Sequence, residues 1–239
     1  VNVDDRAVIA ANNNADLYAA MFQAHDLAYR RTPFFFVGDD PPPPYYSDLT
    51  VLAPGHTDEI DRQLDILTRQ GGNAIGVKDS FCELNLEALG LEVLFRACWI
   101  WRDAGMAAAP ANWHRVEDEV DLALWEHAWK RAGSATERRM FRPQMLSRPD
   151  IIFFGRRRGD VFEAGCIANR SADCLGLSNV FCFSRSNEAF AEATAAVASL
   201  DRSLPLVGYE TGKSLEQARK AGFKTVGRLR ILLAKGRTG

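Results

Sequence analysis

No stretch of this 239-residue chain is apolar over anything like the ~20 residues a membrane-spanning helix needs. The longest apolar runs are short, such as Leu204 to Val207 and Ile151 to Phe154. The opening residues, Val1-Asn2-Val3-Asp4-Asp5, lack the basic-then-apolar pattern of a secretory signal. Basic charge is not in excess: 29 Lys and Arg stand against 31 Asp and Glu, for a net charge of −2. A general nucleic-acid binder would carry a basic stripe, so neither a nucleic-acid nor a membrane partner is expected. There is no CxxC pair, and His25, His56, His114 and His127 lie far apart, which argues against a zinc site. The five cysteines, Cys82, Cys98, Cys166, Cys174 and Cys182, are an odd set without close pairs. That usage suggests reduced thiols in a cytoplasmic protein. Cys166, Cys174 and Cys182 recur every eight residues and read as small buried hydrophobes.

What is present is enough for a packed core, with 47% hydrophobic and 25% charged residues. Periodicity predicts an α/β chain. A first helix is expected from Asn14 to Tyr29, then a strand at Phe34–Val37. Pro41 to Pro44 must be extended, as a stiff connector, since each ring fixes φ. A strand over Ser47–Leu52 follows, then a helix opened by Thr57 and closed by Gly71-Gly72. Ala74–Val77 is read as a strand, Leu84–Leu89 as a short helix and Leu91–Trp101 as a long strand. Residues 105–112, rich in small side chains, form the expected linker between a half at 1–104 and a half at 113–239. The second half restarts with a strand at Trp113–Val116. Leu122, Trp125 and Trp129 share one helical face, and a shorter helical stretch over Glu137–Leu146 is broken by Pro143. Strands at Ile151–Arg157 and Val161–Asn169 form a hairpin across Arg158-Gly159-Asp160. Strands at Leu177–Phe183, Leu204–Tyr209 and Val226–Leu233 alternate with helices at Asn187–Leu200 and Leu215–Ala221. The five tryptophans, Trp99, Trp101, Trp113, Trp125 and Trp129, are read as core, with an interface as the alternative and a homodimer open.

The halves resemble each other. Ser47-Asp48-Leu49 matches Ser178-Asn179-Val180 at an offset of about 131 residues, and Ile75-Gly76, Gly90-Leu91 and Arg96 match Val207-Gly208, Gly222-Phe223 and Arg228 at about 132. The order of elements repeats with the spacing. A duplication with a shortened first copy is expected.

From Trp113 to Ala234 the chain resembles the GNAT superfamily of acetyl-CoA-dependent N-acetyltransferases. The resemblance rests on Leu204 to Glu210, then Ala218 to Phe223 with its Ala-Gly-Phe ending, then Gly227 to Ile231. It implies a mixed α/β (α+β) sheet in two GNAT-like halves, the second complete and the first shortened. It also implies acetyl-CoA as co-substrate and a small-molecule or peptide amine as acceptor. In that family the strand before the main helix splays from its neighbour, and the carrier lies in the gap with its pyrophosphate on the amides that open the helix. The corresponding residues here are Val180, Phe181, Cys182, Phe183, Ser184, Arg185, Ser186 and Asn187. The family's glycine-rich loop is missing: Ser184 to Phe190 contains no glycine, and Ser-Arg-Ser-Asn also reads as an ordinary helix cap.

Transfer to an amine needs a base for the ammonium proton and an acid for the leaving thiolate. Glu210 is the candidate base and Tyr209 the candidate acid, both at the end of a strand beside the expected gap. Glu163 is a further candidate, or an outward residue of an alternating strand. Cys182 as nucleophile has no histidine near it in sequence, so packing is preferred. Lys78-Asp79-Ser80, at the matching place in the first half, reads as a solvated turn or as a polar cluster. Arg156-Arg157-Arg158 reads as a solvated hairpin or as a phosphate contact. Gly208 to Ser214 approaches a P-loop but has three residues between its glycines where four are needed. A catalytically inactive binding or structural protein of the same fold is the competing reading.

Overall fold

A computed structural model describes residues 3–70, 74–105, 110–183 and 188–234. The chain forms two compact units. Unit 1 comprises Val1–Trp99 together with Val226–Gly239, and unit 2 comprises Ile100–Thr225. The units therefore cut the chain differently from the halves read at 1–104 and 113–239, because the last strand belongs to unit 1. Residues 106–109 of the expected linker lie outside the described residues.

Unit 1 opens with α1 (Asp5–Ala24), capped by Asp4, whose carboxylate accepts the Arg6 N–H. This helix starts at Asp5 rather than Asn14. Its first turns bury Ala7, Ala10 and Ala11, which leave no bulky apolar period to read. Three consecutive asparagines, poor helix formers, are accommodated by specific bonds. Asn12 Nδ2 donates to the Val8 carbonyl (3.0 Å), and Asn14 Oδ1 accepts from Lys78 Nζ (2.5 Å). The helix gives way at Asp26, whose φ is +56°. The chain then forms β1 (Tyr29–Arg31), which the helical reading had covered. β1 pairs antiparallel with β2 (Phe35–Gly38), and β2 pairs antiparallel with β3 (Leu49–Val51). After α2 (Thr57–Gln70), β4 (Ile75–Asp79) lies parallel to β3. Residues 80–90 are turns, not the expected short helix, and they lead into β5 (Leu91–Arg102). The final strand, β11 (Lys224–Ala234), pairs antiparallel with β4 from Arg230↔Asp79 to Ala234↔Ile75. Leu232 and Ala234 thereby join Phe35, Val37, Leu49, Ile60 and Val77 in one core.

Unit 2 begins its sheet with β6 (Trp113–Arg115), followed by α3 (Glu119–Arg131). Pro143–Ser147 is a single 3-10 turn, and the rest of the helix expected over 137–146 is irregular. Pro143 supplies the reason, since it cannot donate within a helix. β7 (Ile151–Arg158) and β8 (Val161–Arg170) make the expected hairpin. β9 (Leu175–Cys182) pairs antiparallel with β8, and β10 (Leu206–Glu210) is parallel to β9. α4 (Ala189–Ala198) and α5 (Gly212–Lys220) complete the unit. Trp125 crosses the sheet where Gly155 and Gly165 are register partners, and its Nε1 donates to the Phe154 carbonyl (2.8 Å). A Cβ on Gly165 would sit 2.3 Å from that indole nitrogen. All five tryptophans are buried, so they are core residues. Among the described residues no helix is long and apolar enough to cross a membrane.

Candidate functional site

The pairing of β9 with β10 covers two residues of each strand, Leu175↔Leu206 and Gly176↔Val207. Beyond that point the strands part. The last close approach is at Gly208, where a Cβ would stand 2.6 Å from the Leu177 carbonyl oxygen. Only a glycine fits that approach without moving backbone. Just past it, β9 is irregular. Against β8 its register runs Ser178↔Ile167 and then Phe181↔Gly165, so β9 carries an extra residue, and Asn179 has φ +52°. A bulge of this kind bends a strand and raises its twist. Asparagine tolerates the left-handed region better than most side chains.

A cavity of about 350 Å³ opens there. Asn179, Val180, Phe181 and Cys182 of β9 form one wall, and Ala189 and Phe190 of α4 and Ser214 and Gln217 of α5 form another. Trp129, Ala132 and Ser134, at the end of α3 and just after it, close the far side. The strand residues were named from the sequence, with the exception of Asn179. The helix residues were not, because their convergence depends on how α3, α4 and α5 pack.

Tyr209 and Glu210 end β10, directly before α5, and both are half-buried. Loss of water pushes the Glu210 carboxyl up to about 7. Glu163 is engaged elsewhere. β7 and β8 slip register between Arg156 and Arg157, which leaves Glu163 as the unpaired residue of the bulge. Its carboxylate accepts from Arg158 Nη1 (3.3 Å), and β8 is separated from β10 by β9. Phe183 follows β9 and is exposed, with the Arg131 guanidinium 5.4 Å from its ring centre. Ser184, Arg185, Ser186 and Asn187 lie outside the described residues. Cys166 and Cys174 are fully buried, and burial drives the Cys166 thiol far above its usual range. Cys182 is half-buried, with Arg156 Nη2 at 3.9 Å from its sulfur.

Solved structures share this fold. A GCN5-related N-acetyltransferase from Kribbella flavida superposes with a TM-score of 0.61 over 96% of this chain and 96% of its own, at 17% identity. One from Sphaerobacter thermophilus gives 0.56 over 100% of this chain and 98% of its own, at 11% identity. A conserved protein of unknown function from Staphylococcus epidermidis gives 0.62 over 89% and 95%, at 10% identity. The chain has a GNAT fold. By sequence, no family model matches it and no curated protein matches it. At such identities the GNAT likeness is one of fold.

Unit 1 also contains a parallel strand pair, β3 and β4. β3 and β4 pair at Leu49↔Val77 and Thr50↔Lys78. By the sequence offset these positions match Val180–Phe181 and Tyr209–Glu210, which lie beyond the two partner pairs of β9 and β10. The next carbonyl, that of Leu52, accepts from Asn12 Nδ2 (3.2 Å). Lys78, Asp79 and Ser80 are fully buried, so this segment is not the solvated turn the sequence suggested. Lys78 Nζ lies 4.6 Å from the centre of the Tyr18 ring. Asp79 accepts the Glu83 and Leu84 N–H groups and pairs with Arg230.

Proposed function

We propose that the protein is an N-acetyltransferase that takes an acetyl group from acetyl-CoA and passes it to an amine, with the site in unit 2. The observation that carries the reading is the gap between β9 and β10 together with a carboxyl, at the end of β10, held near neutrality. In this reading the pantetheine arm runs along Val180 to Cys182. Glu210 takes the ammonium proton, the free amine attacks the thioester carbonyl carbon, and the carbon–sulfur bond breaks. The departing thiolate receives the Tyr209 hydroxyl proton, the second proton of the attacking nitrogen returns to the Tyr209 phenolate to leave a neutral amide, and Glu210 releases the first proton to solvent. Ser184 to Asn187 would then border the phosphates.

The reading includes a duplication. Both units run antiparallel, antiparallel, parallel along their first sheet neighbours, β1-β2-β3-β4 and β7-β8-β9-β10. In both, a glycine with positive φ precedes the returning strand, and the next N–H reaches back five residues: Leu91 to Leu86 and Phe223 to Ala218. The first copy lost its opening to α1, so one acetyl-CoA per chain is expected.

Thermal unfolding with millimolar acetyl-CoA is the direct test. A ligand that binds only the folded state raises Tm with concentration. No rise removes the transferase. A rise without acetyl transfer to any of a panel of small amines and peptide amino termini leaves a binding protein of the same fold.

A further inference from the structure

A second cavity of unit 2, about 480 Å³, lies at the opposite end of α4 from the one described above. Trp113 and Phe154 are its buried aromatic walls, and Ser199 and Leu200 follow from the end of α4. The exposed side chains Arg115 and Glu117 complete it, together with His114. β6 is the last strand of the sheet, beside β7. Its ladder runs on to Val116, whose N–H donates to the Phe153 carbonyl (2.9 Å). Alternation then places Trp113, Arg115 and Glu117 on one side of that edge. Other charges of this unit find partners. Arg156 pairs with Glu192 and Glu163, Arg157 with Asp121, and Arg158 with Glu163. Glu192 also accepts from Trp113 Nε1 (3.0 Å). Arg115 and Glu117 are different: among the described residues neither takes part in an ion pair, with each other or with a third group, although both line one cavity.

The end of α4 adds to the negative side of this cavity. The C-terminus of a helix carries partial negative charge and favours a cation. The Ser199 N–H and Oγ and the Leu200 N–H occupy the carbonyls of Ala195, Ala196 and Val197, but the last turn of α4 holds no basic residue. The cavity therefore offers an anionic side, made by Glu117 and the helix end, and a cationic group, Arg115, beside an aromatic wall. A ligand with one charge would answer only one of these. A zwitterion answers both.

We infer that this cavity binds a free amino acid with an apolar side chain. Its carboxylate meets Arg115, its ammonium meets Glu117 and the end of α4, and its side chain lies against Trp113 and Phe154. The volume falls within the ~300–1,000 Å³ of small-molecule sites. No residue lines both this cavity and the one between β9 and β10, so the inference stands apart from the transferase reading.

Calorimetric titration of the full chain with L-leucine and L-phenylalanine is the test. Leucinamide, which lacks the carboxylate, and N-acetyl-leucine, which lacks the ammonium, are titrated beside them. The free amino acids bind, and each single-charge analogue binds about three- to fivefold more weakly than leucine, the scale of one exposed ion pair. Arg115→Gln weakens leucine and leaves leucinamide unchanged. Glu117→Gln weakens leucine and leaves N-acetyl-leucine unchanged. Both side chains are exposed, so the variants keep their fold. Leucine that binds wild type and both variants alike occupies another site, and the inference falls. It falls as well if both analogues match leucine, or if neither amino acid at millimolar concentration gives heat or raises Tm. None of these outcomes bears on acetyl-CoA, whose own effect on Tm reports on the other cavity.

Discussion

At the scale of single residues, the proposed chemistry concentrates on Glu210. A carboxyl that titrates near 7 is about half ionised at neutral pH, so it can accept a proton and still exist as base. Catalysis through Glu210 predicts that kcat/KM rises with pH through about 7. Glu210→Gln should lower the rate by on the order of 100-fold and flatten that profile; an unchanged profile would assign the base elsewhere. The same group also shapes stability. Its folded pKa lies above its ordinary value of 4.5, so the folded state holds the extra proton between 4.5 and about 7. That contribution is complete below pH 4.5 and is lost as pH rises through 7. Glu210→Gln should therefore gain in Tm relative to wild type as pH climbs through that window, which melting curves at several pH values would reveal. Sequence alone picked out this residue from its place at a strand end, but its shifted pKa comes from desolvation that only packing supplies.

At the scale of elements, the cavity depends on β9 breaking its own regularity. Asn179 sits at φ +52° inside the bulge. A β-branched side chain resists that conformation, at a cost of about 1–2 kcal/mol. Asn179→Val should lower stability by about that amount, or else draw β9 back into regular pairing and weaken acetyl-CoA binding. Denaturant unfolding and titration together distinguish this from a neutral change, which would mean the bulge is incidental. The sequence marked Leu177 to Phe183 as a strand, since β-propensity is local. It did not mark the bulge, because register is a relation between β9 and β8. α1 teaches the same lesson: alanines and asparagines carry little local signal, and the first turns of the helix are held by the burial of Ala7, Ala10, Ala11 and Asn13.

At the scale of the whole molecule, the last strand decides how the chain divides. β11 lies between β4 and β5 in the sheet, and the Arg230–Asp79 ion pair is buried where β11 meets β4. Removing one partner of a buried pair strands the other charge, at a cost of about 3–5 kcal/mol. Arg230→Ala should destabilise the protein by that order in denaturant unfolding. Hydrogen exchange should quicken first at Ile75 to Asp79 and along β11, while β7, β8 and β9 keep their protection. Loss of protection in β7 to β9 at the same rate would mean that the two units unfold as one.

Composition and periodicity, being local properties of the chain, determined the α/β class, nearly every strand and the core tryptophans. The resemblance to GNAT folds marked Val180, Phe181 and Cys182, which line the cavity. Tertiary structure alone decided that β11 joins β4, that Lys78 is buried against Tyr18 and Asn14 of α1, and that Arg156 pairs with Glu192. Each of these joins residues far apart along the chain. Backbone ladders and ion pairs form wherever folding brings donors and acceptors together, and separation in sequence leaves no periodic trace of the match.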